Sequence, residues 1–150
     1  MSADLRDLYQ DVIVEHSKRP RNFRKLDGHP RQAEGYNPLC GDRVTVYVDV
    51  ADDMLKEIAF QGSGCAISTA SASVMTEALK GKSRAEVQRL FDLFHTVVTK
   101  GVEAVAGADL GKLAVFAGVS EFPSRVKCAV LAWHALQSAL KGDEPRVSTE

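Results

Sequence analysis

The stretch RVTVYVDV, residues 43–50, decides the fold of this chain because valine occupies every second position. Side chains of a strand point alternately to its two faces, so the four valines share one face and predict a half-buried strand. Residues 51–53 (Ala-Asp-Asp) are typical of a turn, and residues 54–61 are expected to return as a second strand. The two strands predict an antiparallel hairpin with one face left for helices to cover.

Helical periodicity follows on both sides of this hairpin. Gly81 is expected to cap the helix that follows the hairpin, and Ser83 with Glu86 is a capping-box pattern for the next one. Ser124 is the expected N-cap of the last helix. Residues 18–39 are expected to be a long loop with one short strand at most, and the tail from Gly142 is expected to be frayed. Apolar spacing of three and four predicts helices over residues 3–17, 66–80, 84–100 and 125–140.

Composition limits the classes of function. With 150 residues and 45% apolar content, the chain is long enough for one domain with a real core, and residues 1–150 are interpreted as one domain. The net charge is −1, so the sequence predicts no nucleic-acid partner, and the basic cluster at residues 18–25 is interpreted as a solvated surface. Acidic residues interrupt the N-terminus, and no apolar stretch reaches membrane-spanning length. We therefore expect a cytoplasmic protein that does not associate with a membrane.

The three cysteines, Cys40, Cys65 and Cys128, lie at the ends of predicted elements. Three is an odd number, which excludes a complete disulfide framework. Cys40 precedes the hairpin, Cys65 lies where the next helix begins, and Cys128 is expected in the first turn of the last helix. A helix N-terminus favours the thiolate, which is both nucleophile and metal ligand. The alternative is that these thiols are simply small buried side chains.

Asp42 lies two residues after Cys40, and Gly41 between them would let both side chains reach one ion. Three thiolates and one carboxylate can form a tetrahedral set for zinc, or for iron in a cluster. A carboxylate is a harder ligand than sulfur, so this set suggests a site that exchanges a ligand. A structural zinc module and a cysteine hydrolase remain alternatives. The hydrolase would need a histidine base, and the candidates are His16, His29, His95 and His134.

Three motifs in order resemble the U-type iron–sulfur assembly proteins, the SufU and IscU family. They are NPLCGD at 37–42, FQGSGCAIS at 60–68 and RVKCAVLAW at 125–133. The segments LYQDVI at 8–13 and PRN at 20–22 also look like the opening of that family. The resemblance covers nearly the whole chain. It implies an α+β fold, a small antiparallel sheet with helices packed on one face. Residues 1–2 and 142–150 are expected to be disordered.

The resemblance also implies a site and a partner. The ligands would be Cys40, Asp42, Cys65 and Cys128, and the partner would be a pyridoxal-phosphate cysteine desulfurase that hands over persulfide sulfur. Downstream acceptors would be a second iron–sulfur scaffold or apo-proteins. Cys40 is expected to accept the sulfur, with Arg125 in a supporting role that screens negative charge.

Two departures from the IscU pattern favour the SufU branch. Lys127 stands where IscU-type scaffolds have a histidine, and 62 residues, 66 to 127, separate the second and third cysteines. In that branch the site resembles a zinc site, and the protein would be a sulfur acceptor and relay, a zinc-dependent sulfurtransferase. The alternative is a scaffold that assembles and transfers a [2Fe–2S] cluster on the same residues. A zinc module that only binds partners is the more remote possibility.

Overall fold

The computed structural model describes residues 3–28, 30–38, 41–105, 107–141 and 146–148. The elements are, in chain order, α1 (Ala3–Lys18), β1 (Arg31–Asn37), β2 (Asp42–Ala51), β3 (Met54–Ser63), α2 (Ala66–Leu79), α3 (Arg84–Lys100), two 3₁₀-helices (Val102–Val105 and Gly111–Glu121), α4 (Pro123–Lys141) and β4 (Arg146–Ser148).

The predicted hairpin forms between β2 and β3, which pair antiparallel along their length. Asp52 and Asp53 both have positive φ, as the two-residue turn between paired strands with right-handed twist requires. The turn, together with a register shift between Asp49 and Val50, places Val46 opposite Phe60. The hairpin and its turn are confirmed.

The sheet has four strands in the order β3-β2-β1-β4. The region expected to be mostly loop contains β1, a seven-residue strand that pairs antiparallel with β2. The expectation of a disordered tail is wrong for Arg146–Ser148, which pairs parallel with Glu34–Tyr36 of β1. Three residues are too few to show a strand pattern, and their hydrogen bonds come from a distant part of the chain. The α+β fold with a small, mainly antiparallel sheet is confirmed.

One face of the sheet is covered by helices. Helix α4 packs on β1 and β2, and α2 packs against both β3 and α4. Val46 and Val48 of β2 and Ile58 of β3 are completely buried on this face. A Cβ atom added to Gly35 of β1 would lie 3.0 Å from Leu131 Cδ1, which shows how closely α4 approaches the sheet.

The helix ends test the predicted caps. Gly81 has φ +80° directly after the C-cap of α2, and the Ser83 side chain accepts the Glu86 backbone N–H at 3.2 Å, so both caps are confirmed. The predicted cap at Ser124 is wrong, because α4 already begins at Pro123. Proline is well suited to the first position of a helix, where its missing N–H costs no hydrogen bond.

Candidate metal centre

Three ligand-type side chains from distant parts of the chain meet at one end of the sheet. Asp42 is the first residue of β2, Cys65 is the N-cap of α2, and Cys128 lies in α4. A carboxylate oxygen of Asp42 and the two Sγ atoms all lie within 4.8 Å of one another. Atoms at such separations can share one cation, so the structure brings together three of the four predicted ligands.

Hydrogen bonds hold Asp42 and Cys65 to each other. Asp42 Oδ1 accepts the backbone N–H of Cys65 at 2.9 Å, and Oδ2 lies 3.6 Å from Cys65 Sγ. The sulfur in turn accepts the backbone N–H of Ser68 at 3.4 Å, in the first turn of α2. Asp42 is buried and Cys65 is half-buried. The start of α2 thus presents N–H groups both to the carboxylate and to the sulfur.

Cys128 is held in a different way, by the packing of α4. Its side chain is only 2% exposed, and its Sγ lies 4.0 Å from the carbonyl oxygen of Ser124. The next residue, Ala129, accepts a 2.5 Å hydrogen bond from Ser71 Oγ of α2. Trp133 Nε1 donates to the same Ser71 oxygen at 3.1 Å. Ser71 therefore fixes α4 against α2, the helix whose N-cap is Cys65.

The expected position of Cys128 in the first turn of its helix is wrong. Because α4 begins at Pro123, Cys128 is the sixth residue of the helix and lies in its second turn. The influence of a helix dipole falls off within the first turn, so the helix-terminus argument applies to Cys65 and not to Cys128.

The other predicted site residues are placed as follows. Cys40 lies outside the described residues, and so does His29. The flanking Gly41 has φ +75° and donates its N–H to Asn37 O at 2.8 Å, which closes a turn directly before Asp42. Arg125 is exposed and lines an apolar groove of about 430 Å³ between α1, the start of α2 and the second 3₁₀-helix.

The described histidines belong to other parts of the molecule. His16 is buried, with Nδ1 2.7 Å from Ser73 Oγ. The rings of His95 and His134 both contact Phe91, with centroids 6.4 Å and 5.6 Å from it. Within the part of the chain that the structure describes, the group of ligand atoms around Asp42 contains no histidine. A cysteine–histidine hydrolase is not supported by this arrangement.

Two residues that support the site were missed by sequence reasoning. Ser71 belongs to a run of small residues, which predicts close helix packing without revealing which hydroxyl forms a hydrogen bond. Gly64 belongs to the motif at residues 60–68, whose sequence does not reveal that its Cα faces the Asp42 carboxylate. Neither contact is encoded locally, since both partners lie more than twenty residues away in sequence.

The arrangement suits a borderline-soft divalent cation. Two thiols and one carboxylate form part of the tetrahedral set that zinc prefers, and a fourth ligand from the chain or from a bound molecule would complete it. Cys65 is half-buried, so one side of the ligand group lies close to solvent, whereas Cys128 on the other side is buried. A cation here would link the start of β2, the start of α2 and the second turn of α4.

Comparison with known proteins gives a family and close relatives. The family model of NifU-like N terminal domains matches residues 8–129. A protein of Streptococcus pyogenes serotype M1, named iron-sulfur cluster assembly scaffold protein IscU, is 45% identical over 93% of this chain and 86% of its own length. A protein of Bacillus subtilis strain 168, named zinc-dependent sulfurtransferase SufU, is 38% identical over 95% of this chain and 96% of its own length.

Solved structures agree with the fold. A crystal structure from Fervidobacterium islandicum AW-1, described as an iron–sulfur cluster assembly scaffold protein for the SUF system, superposes with a TM-score of 0.76 at 33% identity. The match covers 87% of this chain and 94% of that one. Among the described residues, no helix combines the length and apolarity needed to cross a bilayer.

Proposed function

The chain belongs to the family of NifU-like N-terminal domains, and from that membership we propose that it works in iron–sulfur cluster assembly as a zinc-site sulfur acceptor. In this proposal a pyridoxal-phosphate cysteine desulfurase delivers sulfur as a persulfide, and Cys40 receives it. The observation that carries the proposal is the convergence of the Asp42 carboxylate with the thiols of Cys65 and Cys128. The relative named zinc-dependent sulfurtransferase, 38% identical over nearly the whole chain, supports the choice of zinc.

The metal ligands would be Asp42, Cys65 and Cys128 together with Cys40. Zinc is redox-inactive and, when bound, would keep the cysteine sulfurs in the thiolate form. The chain itself provides what such a site needs, since the backbone N–H groups of Cys65 and Ser68 already point at the carboxylate and the sulfur. The set of four anionic ligands exceeds the charge of a divalent cation, and Arg125 would reduce that excess from the rim.

The transfer step follows the logic of thiol–disulfide exchange. The Cys40 thiolate attacks the outer sulfur of the desulfurase persulfide, and a new S–S bond forms on Cys40. The old S–S bond breaks, and its electron pair leaves with the desulfurase cysteine as a thiolate. No external oxidant or reductant is needed, because the transferred sulfur keeps its oxidation state. Cys65 and Cys128 would retain the metal during this step, and Asp42 would be the more weakly bound ligand.

The test is metal analysis and sulfur mapping on the same freshly purified sample. We expect equimolar zinc and, after incubation with a desulfurase and cysteine, one additional sulfur on the peptide that contains Cys40. Cys40→Ser should abolish this product, whereas Ser63→Ala, an exposed change two residues before Cys65, should leave it intact. Sulfur transfer at the normal rate by Cys40→Ser would contradict the assignment.

A [2Fe–2S] scaffold on the same residues is the second candidate. The 45% identity to a protein named as an IscU scaffold supports it. Anaerobic reconstitution with iron and sulfide discriminates the two functions. A stable equimolar cluster that passes to an apo-acceptor, together with an absence of tightly bound zinc, would favour the scaffold. Retained zinc and a labile substoichiometric cluster would favour the sulfur acceptor.

A further inference from the structure

Gly64 lies directly before Cys65, and its backbone does not explain why it is a glycine. Seven glycines of the described chain have positive φ, the conformation that side chains disfavour, but Gly64 is not among them. An alanine could therefore adopt its backbone conformation without strain. The space around its Cα supplies a steric reason instead.

That space is occupied by the Asp42 carboxylate. A Cβ atom built on Gly64 would lie 2.7 Å from Asp42 Oδ1 and 3.0 Å from Asp42 Cγ. The contact with Oδ1 is shorter than those that Cβ atoms make in proteins, and the contact with Cγ is unusually tight, so one of the two groups would have to move. The carboxylate has little freedom to do so, because Asp42 is 1% exposed and its Oδ1 accepts the Cys65 N–H at 2.9 Å.

The two oxygens of the Asp42 carboxylate have different partners. Oδ1 is directed at the backbone of residues 64 and 65, and Oδ2 is directed at the sulfur of Cys65, 3.6 Å away. We propose that Gly64 is a positioning residue for the metal centre, whose missing side chain lets the Cys65 amide fix Asp42 Oδ1 so that Oδ2 faces the metal position. This inference rests on the proposed metal site and adds the residue that orients its carboxylate ligand.

A positioning role through Asp42 has a signature that a general loss of stability does not have. Partners that orient metal ligands typically contribute about 10- to 100-fold in metal affinity. Gly64→Ala should weaken zinc binding by about that factor when Asp42 is present. In an Asp42→Ala background the added methyl group meets no carboxylate, so the same change should alter the affinity less than about twofold. Such non-additivity is what a double-mutant cycle measures.

Gly35→Ala is a matched control. Gly35 also lacks positive φ, and its added Cβ would meet the side chain of Leu131 at 3.0 Å rather than Asp42. Its effect on zinc affinity should therefore be the same in both backgrounds. Zinc affinity is measured by chelator competition, and Co²⁺ spectra of each variant report whether the oxygen ligand stays in place. We expect the Co²⁺ spectrum of Gly64→Ala to resemble that of Asp42→Ala.

The outcomes separate this inference from the function on which it rests. Equal losses from Gly64→Ala in both backgrounds, or an unchanged affinity with Asp42 present, would overturn the positioning role while the metal site stands. A wild-type protein that binds neither ion would overturn both. If Gly64→Ala fails to fold, recovery of folding in the Gly64→Ala, Asp42→Ala double variant supports a steric clash between the added methyl group and the Asp42 carboxylate. If the double variant also fails to fold, the positioning role is overturned.

Discussion

Helix α2 contacts α4 through the hydroxyl of Ser71, beside an aromatic stack between α3 and α4, and it contacts α1 through polar groups around a buried histidine. On the α4 side, Trp133 is fully buried, stacks on Phe94 at 4.4 Å between ring centroids and donates to Ser71 Oγ. On the α1 side, His16 Nδ1 lies 2.7 Å from Ser73 Oγ, which also accepts the backbone N–H of Arg21 at 2.8 Å.

The difference shows which side of α2 supports the metal centre. Cys65 and Cys128 face each other across the α2–α4 contact. Their separation therefore depends on apolar packing and on the Ser71 hydroxyl. The α1–α2 contact instead anchors the loop after α1, since Asn22 Nδ2 also donates to Thr76 Oγ1 at 2.9 Å. We therefore expect changes on the α4 side to affect stability and metal binding together, and changes on the α1 side to affect stability and its pH dependence.

Replacing Trp133 by alanine should produce the largest effect. The change removes a fully buried ring and its aromatic contacts, and truncations of this kind cost about 3–5 kcal/mol. The free energy of unfolding, measured by urea denaturation, should fall by that amount, and zinc affinity should fall with it. Phe122→Ala is the control, because that aromatic side chain is 60% exposed. A loss below about 1 kcal/mol for Trp133→Ala would contradict the structural role given to the α4 side.

Removing the metal should have the next largest effect on stability. A cation bound at Asp42, Cys65 and Cys128 would link β2 and α2 to α4, and a ligand present at 100 times its dissociation constant stabilises the folded state by about 2.7 kcal/mol. Chelation should therefore lower the thermal midpoint of the wild-type protein. Cys128→Ser should already have the lower midpoint and respond little to chelator. Equal responses of the two proteins would exclude Cys128 as a ligand.

Ser71→Ala isolates the hydroxyl of the α4 side. The substitution leaves Trp133 Nε1–H and the Ala129 carbonyl without their shared partner in a buried contact, which costs about 1–3 kcal/mol. Thr99→Ala is the matched control, because its hydroxyl donates to the His95 carbonyl at 2.7 Å on an exposed helix surface. Denaturation of the two variants should differ by at least about 1 kcal/mol, and equal stabilities would show that Ser71 is not a structural link.

Sequence reasoning predicted what depends on local pattern. The alternation in residues 43–50 and the acidic turn at Asp52–Asp53 gave the hairpin, and helical spacing gave α3 at Arg84–Lys100. Strands β1 and β4 were largely missed because their pairing partners, and not their own residues, make them strands. The start of α4 was displaced because a proline can either end a segment or open a helix.

The same distinction applies to the candidate site. Motifs identified the ligand-type residues Asp42, Cys65 and Cys128, which the structure brings together. The groups that orient them could not be predicted, since Ser71 and Trp133 are 62 residues apart and the space at Gly64 depends on a side chain from β2. Residue type can be inferred from sequence, whereas a specific contact between distant residues follows only from the assembled fold.

His16→Gln should produce the smallest effect in this series, a flatter dependence of stability on pH. Burial lowers the pKa of His16 below its ordinary value of 6.5, and the positive charges of Arg21 and Lys112 lower it further. The negative charge of Glu77 and, more weakly, that of Glu15 oppose this shift. Above pH 6.5 the imidazole is neutral in both the folded and the unfolded chain, so its contribution to stability is fully present. As the pH falls below that value, the unfolded chain binds a proton that the folded chain resists, and stability is lost towards the lowered folded pKa.

Metal-saturated wild-type protein and the variant, denatured at matched pH values from about 7 to about 5, should therefore converge in stability as the pH falls. His134→Gln is the comparison on the α4 side, because burial and the charge of His95 also lower the pKa of that histidine. Each variant should remove its own part of the slope, and the double variant should remove both, since His16 contacts Ser73 of α2 whereas His134 contacts Phe91 of α3. An unchanged slope in His16→Gln would mean that the folded chain accommodates the imidazolium of His16.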